Sequence, residues 1–152
     1  AIASGHPDPL EGQWAEPIAR RGASARRMAA AGGEPALTHY RVVGQSEGSA
    51  GTKAVLLSLD PATGRTHQLR VHAAHHACPL LGDRTYGGIS RIVLPDGGVL
   101  PIERIALHAT WVQLRKAPRV SAPFPAELAL LWQALGGELA LVQSAIDAPS
   151  RL

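Results

Sequence analysis

The alternation of apolar and polar positions is clearest between Thr38 and Asp60. Thr38 to Gly44 is rich in Thr, Tyr and Val, which predicts a strand. Gln45 to Thr52 is a Gly/Ser turn, and in Lys53 to Asp60 residues Val55, Leu57 and Leu59 recur at period two. Leu56 interrupts the polar face, so this second strand is expected to be buried on one face and partly on the other. The two predict an antiparallel hairpin. After the turn Asp60-Pro61-Ala62-Thr63-Gly64 the period changes. Thr66 is a candidate N-cap for a helix from His67 to Ala77. That helix has Leu69, His72, Ala73 and His76 on one face and stops at Pro79. Leu80 to Gly88 reads as a loop, and Ile89 to Glu103 as an irregular insertion broken by Pro95, Pro101 and glycines.

Arg104 to Lys116 predicts a third strand, without clean alternation, and Val120 a short return strand. Pro125 and Glu127 open a final helix with Leu128, Leu131, Trp132 and Leu135 as its apolar stripe. Gly136 and Gly137 close it. The tail, from Ser144, reads as loose. Upstream of Thr38 the signals are weaker. Gly5 to Gly12 reads as a loop, Trp14 to Arg20 as a weak extended segment, and Gly32, Gly33 and Pro35 as a turn. Between them, Arg20 to Arg27 carries four arginines among small residues, either a solvated loop or a phosphate-contacting arm.

Composition bounds the possibilities. The 152 residues amount to one domain or a large piece of one, and 45% apolar content is ordinary for a folded core. No apolar run approaches the roughly 20 residues that span a bilayer, and no secretory leader is visible. The single cysteine, Cys78, excludes an internal disulfide framework or a Cys-based zinc knuckle and fits a reducing cytoplasm. The net charge is +3 and the isoelectric point about 9.6, carried mostly by Arg, which binds phosphate bidentately. Aromatics make up only 4% of the chain, too few for a platform of stacked bases.

Candidate chemistry concentrates in Gly64-Arg65-Thr66-His67-Gln68-Leu69-Arg70-Val71-His72 and the histidines after it. His72 and His76 are four apart, as in helical metal sites. No Glu lies between them, and Asp83 is a third ligand only at an unfixed distance. Hydrogen bonding and packing account for His75 and His76 more simply, so no metal is expected. Arg65 at a turn-to-helix junction suits an anion. That anion is either phosphate or a catalytic carboxylate, which a guanidinium would hold ionised and oriented. Cys78 sits in an apolar setting and no serine lies in a nucleophile elbow, so nucleophilic catalysis within the chain is not expected.

The run from Gly64 to His72, with Pro79-Leu80-Leu81-Gly82-Asp83 and Tyr86-Gly87, resembles the third signature of the RluA-type pseudouridine synthases. Ala36 to Val42, Ala106-Leu107-His108-Ala109 and Pro123-Phe124-Pro125 resemble flanking segments of that family. The resemblance implies an α+β fold: a mixed, mostly antiparallel sheet with helices packed against one face. It implies isomerisation of uridine to pseudouridine in rRNA or tRNA, without cofactor or metal. By the family pattern Arg70 pairs with a catalytic Asp, and Leu69 and Val71 pack near the target base. Arg65, Thr66, His67, Gln68 and, more loosely, Arg84 fall on the RNA side.

The family's catalytic Asp lies in a His-Arg-Leu-Asp motif and its active-site Tyr in Tyr-x-Ala. Asp60 follows Ser58-Leu59, and Tyr40 and Tyr86 belong to other segments, so neither residue is expected in this chain. Residues 1–137 are therefore read as the C-terminal part of a catalytic domain and 138–152 as a tail. The expected behaviour of the chain alone is RNA contact without turnover, with self-association through an exposed sheet edge. A non-catalytic RNA-binding module on the same scaffold is the alternative.

Overall fold

A computed structural model describes residues 1–22, 25–47, 52–114 and 117–147. Its main sheet has four antiparallel strands in the order β1 (Ile2–Ser4), β6 (Ala54–Pro61), β5 (Thr38–Ser46), β2 (Glu11–Trp14). The central pair is the predicted hairpin, in register from Thr38 opposite Pro61 to Ser46 opposite Ala54, with a bulge between Val42 and Gly44. Half of the turn expected at Gln45 to Thr52, residues 48–51, lies outside the described residues, and Gln45 and Ser46 belong to β5. The start of β2 lies in the stretch Gly5 to Gly12 read as a loop, and β1 forms from residues given no element in the sequence.

Both faces of this sheet are covered, where helices on one face were expected. On one side Ile2, Ala54 and Leu56 pack with Leu128, Leu131 and Trp132 of α2 (Ala126–Ala134). On the other, Ala3, Val55 and Leu57 pack with Trp14, Tyr40, Ala73 of α1 (Gln68–His75), Cys78 and Leu80. Successive strand side chains alternate in direction, so a sheet buried on both sides needs consecutive apolar residues. That is the reason for Leu56 between Val55 and Leu57.

The predicted strand from Arg104 to Lys116 shrinks to Trp111–Val112 (β9), paired with Val120–Ser121 (β10). The earlier part is instead threaded by single bonds. Ala106 accepts from the Ile2 amide at 2.9 Å and donates to Leu81 at 2.8 Å. Arg115 and Lys116 lie outside the described residues. The supposed irregular insertion contains a hairpin, β7 (Arg91–Val93) with β8 (Val99–Pro101). Its turn uses Asp96-Gly97, with Gly97 at φ 84°, the left-handed geometry such turns require. Residues read as a tail form α3 (Leu139–Asp147), where Val142 is buried against the α2 side of the core. A separate small hairpin joins β3 (Ile18–Arg20) to β4 (Arg27–Ala29) and lies over α1. Among the described residues no helix is long and apolar enough to cross a membrane.

Candidate active site and RNA face

Helix α1 starts one residue later than expected, and Thr66 does not cap it. His67 occupies the N-cap in left-handed geometry, φ 59°, without a side-chain cap bond. Gln68, the first helical residue, instead pins the turn that leads into the helix. Its Oε1 accepts from the Arg65 amide at 3.0 Å and the Thr63 hydroxyl at 2.7 Å. Its Nε2 donates to the Leu37 carbonyl at 2.9 Å and to Thr38 Oγ1 at 3.0 Å. All four of its hydrogen-bonding positions are used, as burial of an amide demands.

The network continues inward. His72, fully buried, bonds the Glu16 carbonyl through Nε2 at 2.9 Å, so that nitrogen carries the proton. Nδ1 then accepts from the Thr38 hydroxyl at 2.9 Å. This ring is neutral, because burial pushes its pKa below the ordinary 6.5. The unfolded chain takes up a proton that the folded one refuses, so stability is full above pH 6.5 and declines as pH falls through the lowered folded value. Melting temperature measured against pH should fall in this window, and His72→Gln should flatten the fall. An equal slope in the variant would assign the decline to other groups.

Arg70 leaves the helix on another side. Its Nε donates to Asp83 Oδ2 at 2.7 Å and its Nη2 to Oδ1 at 2.8 Å, the bidentate fork. The guanidinium also lies over the Tyr86 ring, 4.9 Å from its centre, in cation–π geometry. Nη1 has no hydrogen-bond partner among the described residues. Asp83, 1% exposed, also accepts the Thr85 and Tyr86 amides. Burial by itself would raise its pKa. The Arg70 hydrogen bonds and charge, with the two amides, outweigh that and hold the carboxyl below the usual carboxylate range.

Tyr86 ties the elements together. Its hydroxyl accepts the Arg27 amide at 3.0 Å and bonds His67 Nδ1 at 2.9 Å. Burial, then the neighbouring Arg70 charge, lowers the His67 pKa, so that ring is neutral and Nδ1 accepts from the tyrosine.

Leu69 and Val71, both expected near the target base, are separated. Two residues along a helix turn about 200°, so they cannot share a face. Val71 is 3% exposed and packs with Ile18 and Ala36 beneath the small hairpin. Leu69 opens on a groove of about 850 Å³. Leu57, Leu59, Asp60, Leu107, His108 and Phe124 also line it. His108 Nε2 is buried there without a hydrogen-bond partner among the described residues. Arg65 faces outward, bonded to Glu34 at 2.6 Å and to the Pro35 carbonyl. Thr66 and Arg84 are exposed. The ring nitrogens of the supposed metal pair are used otherwise: His76 bonds Glu16 at 3.0 Å while stacking on Trp14.

The sequence offers Asp83 only as a third metal ligand at an unfixed distance and Tyr86 only as a motif residue; neither is read there as a partner of Arg70. Gly82 and Gly87, both at positive φ, mark the stretch as a turn without naming what its carboxylate meets.

Comparison with known proteins gives the α+β scaffold that holds Arg70 and Leu69 a family. The RNA pseudouridylate synthase family model matches residues 2–75. Ribosomal large subunit pseudouridine synthase D of Haemophilus ducreyi is 39% identical over 137 residues, covering 82% of this chain and 40% of the relative. The uncharacterized RNA pseudouridine synthase YhcT of Bacillus subtilis is 37% identical over 134 residues, covering 84% and 40%. Human RNA pseudouridylate synthase domain containing 1 superposes with a TM-score of 0.70 at 26% identity, covering 100% of this chain and 66% of that structure. The chain belongs to the RNA pseudouridylate synthase family, of the RluA type. It spans about 40% of the length of these curated relatives.

Proposed function

We propose that this chain supplies the arginine and the RNA face of a site that isomerises uridine to pseudouridine in ribosomal RNA. In that reaction the N1–C1′ bond breaks, a C5–C1′ bond forms, C5 loses its proton and N1 gains one. The uridine must leave its stack to be reached. The observation that carries the reading is the state of Arg70: two donors fixed on Asp83, a face on Tyr86, and Nη1 left for a second carboxylate. A catalytic carboxylate held by that nitrogen would stay ionised and aimed. Leu69 in the groove is then the apolar contact for the base. Arg65, Thr66, His67, Gln68 and Arg84 form or support the RNA side, and Val71 acts only through packing.

Residues 1–152 contain neither a His-Arg-Leu-Asp run nor a Tyr-x-Ala run. The finer reading is therefore a division of labour. Residues 1–137 hold RNA and the arginine, and a segment carrying those motifs brings the nucleophilic or basic groups. In the sheet, β1 pairs with Ala54 to Leu56 of β6 and Ala1 bonds Leu57 in both directions, so the part of β6 beyond Leu57 is where such a segment, or a second copy, would add. The place of action is the cytoplasm, where a lone buried thiol stays reduced.

The test is tritium release from RNA labelled at uracil C5. The 152-residue chain should bind the RNA and release nothing. The same chain joined to a segment bearing His-Arg-Leu-Asp and Tyr-x-Ala should release tritium. Release by the chain alone would overturn the division of labour. Binding without release in the joined polypeptide would make it a non-catalytic RNA module.

A further inference from the structure

The β3–β4 hairpin and the turn before α1 enclose an open notch of about 370 Å³ that shares no lining residue with the groove beside Leu69. Arg20, Arg27 and Arg65 line it, with Thr66 and three glycines, Gly32, Gly33 and Gly64. Arg20 and Arg27 are direct cross-strand partners. Like charges opposite each other across a strand pair destabilise it, and this hairpin is only three residues long on each side. The one carboxylate lining the notch, Glu34, is taken by Arg65 at 2.6 Å. The side chain of Arg20 has no hydrogen-bond or ionic partner among the described residues. That of Arg27 has a single long bond, 3.4 Å, to the Ala25 carbonyl. Two guanidinium charges thus converge with no anion to balance them.

We infer that this notch binds a backbone phosphate of the RNA strand next to the target uridine. The inference rests on RNA being the substrate and assigns a new contact to it. Paired arginines suit a phosphodiester because each guanidinium can fork onto two of its oxygens. Gly32 and Gly64, where a Cβ would meet nothing within 4 Å, leave room for a sugar-phosphate chain to approach closely, while Gly33 lies against the Ile18 backbone. The notch is also mechanically joined to Arg70. The Arg27 amide is bonded to the Tyr86 hydroxyl, and the Tyr86 ring carries Arg70. A phosphate drawing in Arg27 would bear on the ring under Arg70.

The experiment is equilibrium binding of a short fluorescein-labelled single-stranded RNA to the full chain, measured by anisotropy across a salt series. Arg20→Gln/Arg27→Gln should bind about tenfold more weakly at low salt. It should also reduce the slope of log K against log salt by about 1.4, roughly 0.7 per lost contact. Arg20→Lys/Arg27→Lys should keep the slope, since the charges remain. Arg91→Gln/Arg119→Gln, which removes two charges outside the notch, should change the slope by less than half as much. Circular dichroism on each variant separates misfolding from lost contact, and the Lys pair provides a folded comparison if the Gln pair fails. A wild-type slope in the folded Gln pair, or an equal loss in the Arg91/Arg119 pair, overturns the notch while leaving the isomerase reading intact. No RNA binding by the wild-type chain overturns both.

Discussion

Asp83→Ala should cost the fold about 3–5 kcal/mol, the usual penalty when one member of a buried ion pair is removed. The carboxylate is 1% exposed and the Arg70 side chain 15%, so water cannot replace the lost partner fully. The variant also strips an acceptor from the Thr85 and Tyr86 amides, and with them the turn that carries the Tyr86 ring. Urea denaturation of the wild type, both single variants and Arg70→Met/Asp83→Ala gives the coupling. The double variant should be less destabilised than the sum of the singles by more than about 1 kcal/mol, because removing both ions leaves no uncompensated charge. Additivity within about 0.5 kcal/mol would mean the pair is not formed. The pH dependence is a second signature. Asp83 has a folded pKa below its ordinary 3.8, so its contribution is complete above that value and is lost as pH falls through the folded one. The acid limb of stability should therefore be steeper in the wild type than in Asp83→Asn.

The parts of this molecule that sequence reveals are those set by neighbours along the chain. Val55, Leu57 and Leu59 announce β6 because the strand period is two, and the interrupting Leu56 reports burial on the second face. Leu128, Leu131 and Leu135 announce α2 because one face of a helix must be apolar. What failed depended on distant partners. The segment around Ala106 has the composition of a strand, yet its amide and carbonyl are claimed by Leu81 and Ile2, and it never enters a ladder. The β7–β8 hairpin is the exception: its Asp96-Gly97 turn is a local signal, masked by Pro95 and Pro101 on either side.

The site divides in the same way. Arg70 stood out from its motif, and the opposed directions of Leu69 and Val71 follow from helix geometry alone. Asp83 as the partner of Arg70 was not legible. It lies thirteen residues on, and the return of that loop along α1 depends on burial of Leu80 and Leu81 and on close backbone approach. Gly88 shows how close: a methyl group there would collide with the Leu80 carbonyl. Nothing local in the sequence encodes such a contact.

Arg70→Ala, in a polypeptide that carries the His-Arg-Leu-Asp segment, should slow tritium release by about 100-fold or more, the scale on which misplacing a reacting group is felt. The loss belongs to kcat/KM and has a direction in pH. If Nη1 holds the catalytic carboxylate ionised, its removal raises that carboxylate's pKa. The acid limb of the rate profile then moves to higher pH, a shift that a merely structural role of Arg70 would not produce. Arg70→Lys is the sharper case. An ammonium keeps the charge but offers no planar fork, so it cannot grip both oxygens of Asp83 and also present a fixed donor to a second carboxylate. Lysine should therefore restore folding more than rate, leaving turnover at least about tenfold below wild type. Full activity in Arg70→Lys would reduce the residue's role to charge alone. Full activity in Arg70→Ala would remove it from the site, because Nη1 would then serve no reacting group.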